Sequence, residues 1–430
     1  MLRITEITCE HQARPLAIAT PHPRFSWKLE SDEKDTIQTV YQIQVWTSEN
    51  QLIWDSGRIE HRHTYDIVYE GTVLKSAERY IYQIQVWDNH GNTATSGMQR
   101  FETAYFQTSD WKACWIEPDP LPQLPENPLP KAQEIWNECL MAMMRGEQPK
   151  YYMDGDIWDT LLTEPYDPPV RFRRIFELEE KPEYAKVFLT AHGIYSLSVN
   201  GQKVPRSLLM PGFTTYDKRL KYQAYDITDF LNAGKNALSV TVADGWYKGK
   251  IALGKGCEYG EVPGMLMQME IRNTDGTRTQ LCSDEAFTYS FDGPIRYADL
   301  FLGECVDARK DDGDPSEISY EAKNWEKVKT AKKDLYDFAV LTAQNAPEIE
   351  VYAEIPASEI LTTPKGETVV DFGQNMAGTI RVELSAKVGE EICFEHGETL
   401  DKDGLYLCIH GYDPGAERCL YQCGKRVGSI

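Results

Sequence analysis

The sequence predicts an all-β protein built from tandem antiparallel β-sandwich domains with one short helical insertion. Apolar and polar residues alternate with a period of two through most of the chain, and Gly, Asn and Asp turn signals separate the alternating segments. One stretch combines good helix formers with the absence of proline and glycine, and it is the one good helix candidate in the sequence. At 430 residues the chain exceeds the roughly 250 to 300 residues of one core, so we expect several domains.

The first domain is expected to span residues 1–105 as a fibronectin type III or immunoglobulin-like sandwich. The hexapeptide Tyr-Gln-Ile-Gln-Val-Trp occurs at 41–46 and again at 82–87. In each copy Tyr, Ile and Val share one face and the other three residues share the opposite face, which predicts two strands of a half-buried sheet. Turn residues at 55–57 and 88–92 separate the strands at short intervals, as in these sandwiches.

Residues 106–170 are predicted to be a proline-rich linker with a helical insertion. Proline recurs between 117 and 130, which favours an extended chain because proline fixes φ and removes a donor. Residues 131–144 contain neither proline nor glycine and are rich in good helix formers. The resulting helix would either cap a neighbouring site or pack on a sandwich as a surface insertion.

A second sandwich, jelly-roll or lectin-like, is expected over 171–345, and a third, concanavalin-like β domain over 346–430. Asn200-Gly201 predicts a tight hairpin in the second, since both central residues of that turn need positive φ. Core strands of the second domain are predicted at 171–176, 186–191, 195–199, 237–243 and 265–271. Strands of the third are predicted at 367–371, 379–384 and 391–395.

Charge and hydropathy restrict the partners. The net charge of −22 disfavours nucleic acid and anionic membrane surfaces, which leaves a neutral small ligand or another protein. No run approaches the 18 or so apolar residues of a membrane span, and the first residues lack the apolar core of a signal peptide. We therefore expect a cytoplasmic protein.

The ten cysteines lack the spacing of a disulfide framework, so free buried thiols are expected. The last part of the chain is the exception, because cysteines and a histidine lie close together in the sequence there. That cluster is either a zinc site or a set of ordinary side chains, and it consists of Cys408, His410, Cys419 and Cys423.

The segment from Asp244 to Gly249 combines two aromatic residues with glycines and short polar groups, a composition typical of sugar-binding walls. Trp246 and Tyr247 are expected to lie under the apolar face of a sugar ring. The alternative is that both pack the edge of the sandwich. Gly245 and Gly249 indicate a segment shaped for close approach.

Several motifs, in their order along the chain, carry a family resemblance. They include His192-Gly193-Ile194-Tyr195, Pro211-Gly212-Phe213-Thr214, Asp371-Phe372-Gly373-Gln374-Asn375 and His396-Gly397-Glu398-Thr399-Leu400. In these motifs the chain resembles the N-terminal, non-catalytic part of bacterial α-L-rhamnosidases over nearly its whole length. The resemblance implies a fibronectin-like domain, a lectin-like rhamnose-binding domain and a β domain. In the family these precede an (α/α)6 barrel whose two acidic residues hydrolyse terminal α-L-rhamnosyl residues with inversion.

The acid-rich motif of that barrel does not occur in the sequence, so we expect a chain truncated before the catalytic barrel and inactive alone. The expected function is carbohydrate binding and scaffolding. The expected partners are a rhamnose-containing glycoside and either a catalytic barrel domain or a second copy of the chain. The alternatives are a standalone rhamnose-binding, lectin-like protein and a structural or interaction module without a ligand.

The resemblance also implies site residues near Tyr216-Asp217-Lys218-Arg219, where the family places a sugar-binding carboxylate and amide and a bridging calcium ion. Asp217 matches the carboxylate, and Tyr216 is assigned to the same site. Lys218 stands at the amide position, although an ammonium is no metal ligand. Glu258 and the backbone near Pro263 would supply oxygens to calcium, and no other cofactor is required. Asp217 is otherwise a solvated turn residue.

Overall fold

A computed structural model describes residues 1–121, 141, 144–145, 167–251, 256–300, 303–331, 338–383 and 385–397, with the strands at 399–400, 406–407 and 418–422. The all-β class with several antiparallel sheets is confirmed. Most of the predicted linker and nearly all of the predicted helix at 131–144 lie outside the described residues, as does most of the cysteine and histidine cluster. Within the described part, no helix is long and apolar enough to cross a membrane.

The first domain is a sandwich of a three-stranded and a six-stranded sheet. The small sheet has the order β1-β2-β6, and the large sheet has the order β4-β3-β7-β8 with β5 on β3 and β9 on β7. The strands are β1 Arg3–Cys9, β2 Arg24–Glu30, β3 Gln38–Thr47, β4 Leu52–Asp55, β5 Ile59–Glu60, β6 Ile67–Val68, β7 Arg79–Asp88, β8 Thr93–Thr95 and β9 Gln99–Glu102.

The two hexapeptides lie on β3 and β7 and pair with each other. The register places Ile43 opposite Ile84 and Tyr41 opposite Val86, so that equivalent faces coincide. Tyr, Ile and Val of both copies are buried, whereas the intervening glutamines are only partly buried. The predicted facing of both strands is therefore confirmed, and the repeated sequence forms the centre of one sheet.

The second domain packs two larger sheets face to face. One has the order β24-β10-β18-β12-β16-β25 with β19 on β18, and the other has the order β14-β13-β17-β11-β20-β23. The strands are β10 Ile116–Glu117, β11 Val170–Leu178, β12 Tyr184–His192, β13 Ile194–Val199, β14 Gln202–Lys203, β15 Ser207–Leu208, β16 Leu220–Asp226, β17 Gly234–Ala243, β18 Gly264–Arg272, β19 Arg278–Cys282, β20 Thr288–Ser290, β21 Ile295–Asp299, β22 Gly303–Asp307, β23 Glu326–Lys327, β24 Lys329–Thr330, β25 Leu341–Ala343 and β26 Ile349–Glu350. The sheets are antiparallel except where β25 joins β16 in parallel.

The predicted hairpin at Asn200-Gly201 is confirmed. Val199 pairs with Gln202 across the turn, and the φ angles of Asn200 and Gly201 are 49° and 77°. Positive φ at both central residues is what a two-residue hairpin turn requires. The Asn200 side chain also donates 2.8 Å hydrogen bonds to Phe230 O and Asn236 Oδ1, which fixes the turn against the next loop.

The sheet that contains β12 and β18 is covered on both faces. Its inner face packs against the other sheet through residues such as Val187 and Met267. Its outer face, with Phe188 and Leu266, is covered by residues 104–115, which contribute Tyr105 and Trp111. Because both faces are buried, β12 and β18 read as nearly continuous buried runs.

A buried ion pair joins the first domain to this outer face. Lys186 Nζ lies 2.9 Å from Glu102 Oε2, and both side chains are 0% exposed. The Tyr184 hydroxyl donates to the same oxygen at 2.5 Å, and Arg79 Nε donates to Glu102 Oε1 at 3.0 Å. Lys186 also donates to the carbonyls of Leu16 (3.2 Å) and Thr103 (3.3 Å), so that its ammonium is fully surrounded by acceptors.

The third region is more open. The strands are β27 Glu359–Thr362, β28 Thr368–Asp371, β29 Glu391–Glu395, β30 Thr399–Leu400, β31 Tyr406–Leu407 and β32 Arg418–Gln422. β27 and β28 form a two-stranded hairpin, and β32 lies between β22 and β29 in a four-stranded sheet. The strand predicted at 379–384 is wrong for 379–382, which are not in a strand. Alternation forms a strand only where a neighbour accepts its backbone hydrogen bonds, and no described strand does so here.

The side chains of six of the ten cysteines are described, and none of these six forms a disulfide. Cys9 and Cys305 are buried, whereas Cys257 and Cys393 are exposed. The prediction of free thiols is confirmed for these six, and the prediction of burial is wrong for the two exposed ones.

Replacing one partner of the buried pair should destabilise the protein strongly. Glu102→Gln leaves the Lys186 ammonium buried without its counter-charge, and we expect a loss of about 3–5 kcal/mol in the free energy of unfolding. The double variant Glu102→Gln with Lys186→Met should recover most of this loss, because both charges are gone. The measurement is urea denaturation followed by tryptophan fluorescence.

The matched control is Arg278→Gln, which removes a half-exposed ion pair between the same two domains, formed with Glu78. Exposed pairs contribute up to about 1 kcal/mol. A Glu102→Gln variant that loses no more stability than this control would contradict the assigned role of the buried pair.

Candidate functional site: an aromatic cluster at the edge of the second domain

The residues singled out for sugar binding lie at the edge of the second domain where β12 and β17 end. A single helical turn, α1 Gly245–Lys248, follows β17, so the segment after Asp244 is helical and not an open loop. The loop 209–219 lies beside this turn, and Phe213 of that loop contacts Trp246 of α1 with ring centroids 5.7 Å apart.

The glycines of this segment are required by close approach, as the sequence indicates, but the groups approached belong to the protein. Gly245 has φ +55°, and a Cβ there would lie 2.6 Å from Ile194 Cγ1. A Cβ on Gly249 would lie 2.5 Å from Asp299 Oδ2. The helical turn therefore packs directly against the sandwich, and this contact fixes the positions of Trp246 and Tyr247.

Ion pairs also hold α1 in place, in addition to the glycine contacts. Lys248 forms an ion pair with Asp167, just before β11, and its Nζ lies 3.6 Å from Asp244 Oδ1. Burial, opposed by Lys248 and reinforced by Asp299 and Asp167, raises the pKa of Asp244 to about 6. Asp244 and Lys248 therefore anchor the turn.

Tyr247 belongs to a stack of three parallel rings. His192 lies between Trp115, at a centroid distance of 3.9 Å and an angle of 11°, and Tyr247, at 4.3 Å and 8°. One face of Tyr247 is therefore covered by His192. Burial lowers the pKa of His192 to about 3, so the imidazole is neutral at physiological pH.

Trp246 and Phe213 form the part of the cluster that reaches solvent. Phe213 is 53% exposed and Trp246 is half-buried, with an angle of 36° between the two rings. Tyr216 lies beneath them and is buried, and its hydroxyl donates to the Gly212 carbonyl at 2.9 Å. Hydrogen bonds from the amides of Lys218 and Arg219 to Thr215 O, both 2.8 Å, close the loop on itself. Phe213 is thus presented by a rigid loop.

Asp217 projects from the same loop and is exposed, with its Oδ2 3.5 Å from Lys218 Nζ. An ammonium is a donor and cannot ligate calcium, so Lys218 supplies no oxygen to a metal ion here. Glu258 is exposed and Pro263 is buried. Within the described residues no group of three or more His, Cys, Asp or Glu side chains could hold a metal ion. Calcium binding at Glu258 and Pro263 stays a prediction.

The structure thus brings Tyr216, Trp246 and Tyr247 into one aromatic cluster and places Asp217 on its exposed loop. Contact of these four residues with a sugar stays a prediction. Sequence reasoning missed Phe213, His192 and Trp115 as members of the cluster. Phe213 and His192 belong to the quoted motifs, and an aromatic side chain next to glycine was the signal that could have indicated them. Nothing in the sequence connects Trp115 with them.

Three family models match the chain in order along its length. The "Rha78A-like, N-terminal immunoglobulin domain" matches residues 4–107 and the "Alpha-L-rhamnosidase N-terminal domain" matches residues 180–353. The "Bacterial alpha-L-rhamnosidase concanavalin-like domain" matches residues 361–407. The chain is similar to the N-terminal region of bacterial α-L-rhamnosidases. The expected resemblance is confirmed, and the first domain is immunoglobulin-like.

Individual relatives agree with the family models. An α-L-rhamnosidase of Streptomyces avermitilis is 26% identical over 94% of this chain and 52% of its own length. One from Formosa agariphila is 29% identical over 91% of this chain and 40% of its own length. The chain therefore spans about half, or less, of the curated relatives that it matches.

Solved structures show the same arrangement of strands. The S. avermitilis α-L-rhamnosidase complexed with L-rhamnose matches with a TM-score of 0.85 and 25% identity, over 100% of this chain and 54% of the other. The α-L-rhamnosidase of Aspergillus terreus matches with a TM-score of 0.84 and 24% identity, over 100% of this chain and 45% of the other. The latter likeness supports the fold alone.

Acid should weaken the fold through His192. Its pKa of about 3 in the folded protein lies below the ordinary value of about 6.5, so the stabilisation is complete above pH 6.5 and is lost as the pH falls towards 3. His192→Phe keeps an aromatic ring between Trp115 and Tyr247 and does not titrate. Between pH 7.5 and 4.5 this variant should lose about 2–3 kcal/mol less stability than the original chain.

Thermal and urea unfolding at the two pH values measure this difference. His63→Phe, at an exposed histidine of the first domain, is the matched control and should follow the original chain. Equal acid sensitivity of His192→Phe and the control would show that His192 does not carry this pH dependence.

Proposed function

We propose that the chain is the N-terminal carbohydrate-binding and scaffolding part of an α-L-rhamnosidase. The barrel that hydrolyses terminal α-L-rhamnosyl residues with inversion lies outside these 430 residues. The observation that carries the binding role is the surface pair Phe213 and Trp246, held open at 36° on a rigid edge of the domain. Sugar rings present apolar C–H faces, which stack on aromatic rings of this kind.

Charge supports a neutral glycoside as the ligand. The chain has a net charge of −22, which repels phosphorylated and other anionic ligands. The exposed groups beside Phe213 include both Asp217 and Lys218, which supply an acceptor and donors to hydroxyl groups. The match of the surrounding domain to the rhamnosidase N-terminal model favours L-rhamnose over other neutral sugars.

The scaffolding role is supported by the third region. The described residues from 351 onwards expose six large apolar side chains to solvent at more than 40%: Val351, Tyr352, Ile360, Val370, Met376 and Val388. Exposed apolar side chains of this number mark surfaces that another domain covers. In the proposed whole enzyme, the catalytic domain would cover them.

Trp246→Ala should weaken binding of L-rhamnose about tenfold, because stacking on one aromatic ring contributes about 0.5–1.5 kcal/mol and the neighbouring Phe213 loses its partner. Isothermal titration calorimetry with L-rhamnose measures the affinity, and near-UV circular dichroism checks the fold.

Tyr65→Ala is the matched control, since Tyr65 is an aromatic residue of the first domain that is 60% exposed. This control should bind as tightly as the original chain. No heat with the original chain would reject carbohydrate binding and leave the purely structural alternative.

The chain alone should not hydrolyse an aryl α-L-rhamnoside, because the acid and base of the inverting reaction would lie in the barrel. Release of the aryl group, followed by absorbance, is the measurement. Turnover at the rate of a whole enzyme would contradict the assignment of catalysis to another part of the protein.

A further inference from the structure

We infer that Glu117 and Tyr247 form a polar subsite over residues 260–264 that binds hydroxyl groups of a neutral sugar. One hydroxyl of the sugar donates to the Glu117 carboxylate, and another accepts a hydrogen bond from the Tyr247 hydroxyl. The inference rests on the proposed carbohydrate-binding function and assigns it a second, hydroxyl-recognising element. Sequence reasoning placed Tyr247 beneath a sugar face and did not single out Glu117.

Glu117 has a buried oxygen that lacks a donor. The residue is 8% exposed, and within the described part of the chain Oε1 is buried without a hydrogen-bond partner. Lys329, which pairs with Glu117 in the β10–β24 ladder, directs its ammonium to Asp119 at 3.3 Å. A buried acceptor without a donor costs about 1–3 kcal/mol, so such an atom marks a place where an external donor belongs.

Two glycines of one short segment allow both polar side chains to contact its backbone. A Cβ on Gly264 would lie 3.1 Å from Glu117 Cγ and 3.8 Å from Glu117 Oε1. A Cβ on Gly260 would lie 2.3 Å from Tyr247 Oη. Residues 260–264 therefore contact both side chains, that of Tyr247 at Gly260 and that of Glu117 at Gly264.

Tyr247 contributes its hydroxyl and not its ring face, because His192 covers that face at 4.3 Å. Among the described residues the Tyr247 hydroxyl has no hydrogen-bond partner. Burial, and next the charge of Glu117, raise the pKa of Tyr247 to about 12, so the phenol keeps its proton and can donate it in a hydrogen bond. The pair therefore offers one free donor and one free acceptor.

The surroundings select a neutral, hydroxylated ligand. The Glu117 charge repels anions. The rings of Trp115, His192 and Tyr247 stack on one another at 3.9 and 4.3 Å, so the faces within this stack are closed to a cation. Hydroxyl groups of a neutral sugar satisfy both polar groups without bringing a charge into a buried site.

L-Rhamnose titration of two conservative variants tests the subsite. Glu117→Gln keeps the size of the side chain and removes its charge, and Tyr247→Phe keeps the stacked ring and removes the hydroxyl. Each should raise the dissociation constant about tenfold, because each removes one hydrogen bond to the sugar, charge-assisted in the case of Glu117. Glu261→Gln, at an exposed acid within the same segment, is the matched control and should leave the affinity unchanged.

The outcomes separate this inference from the proposed function. If both variants bind like the original chain while Trp246→Ala loses affinity, the subsite is wrong and the carbohydrate-binding function stands. If the original chain does not bind L-rhamnose, both fail. If Glu117→Gln does not fold, as judged by near-UV circular dichroism, Tyr247→Phe decides, and unchanged affinity in that variant overturns the subsite.

Discussion

The buried ion pair between Glu102 and Lys186 is the constraint on which the arrangement of the first two domains depends. Burial lowers the pKa of Lys186, whereas for Glu102 the charges of Lys186 and Arg79 outweigh burial and hold the pKa below its ordinary value. Separating the domains would remove the counter-charge of each group, because Glu102 belongs to the first domain and Lys186 to the second. The two domains therefore dock in one position, because any other arrangement must either solvate both charges or leave one of them buried without its partner.

That docking determines which parts of the second domain stay open to solvent. The outer face of β12 carries Lys186, Phe188 and His192 in alternating positions, so one strand connects the ion pair, the core under residues 104–115 and the ring stack. Gln268 on β18 accepts hydrogen bonds from the amides of Lys112 (2.6 Å) and Ala113 (3.1 Å), which holds the covering segment in place. With both faces of this sheet covered, the aromatic edge near α1 is where side chains such as Phe213 reach solvent.

Much of the fold could be predicted because it depends on local patterns. The facing of the hexapeptides follows from the period of two, and the Asn200-Gly201 turn follows from backbone sterics alone. The strand at 379–382 could not be excluded in the same way, because a strand exists only where another strand pairs with it. The glycines of the segment from Asp244 to Gly249 indicated that its backbone closely approaches another group, but they could not show that Ile194 and Asp299 are the residues approached.

The sequence by itself determined the all-β class, the facing of the core strands, the tight hairpin and the family resemblance, since each depends on neighbouring residues or ordered motifs. The tertiary structure decided which aromatic residues face solvent. Trp246 and Tyr247 are adjacent in the chain, yet one pairs with exposed Phe213 and the other stacks on buried His192. Consecutive residues of a helical turn point in directions about 100° apart, so their surroundings depend on elements distant in the sequence. Tertiary pairing of β10 with β18 likewise brings Glu117, far from α1 along the chain, to Gly264, four residues from the Gly260 that Tyr247 contacts.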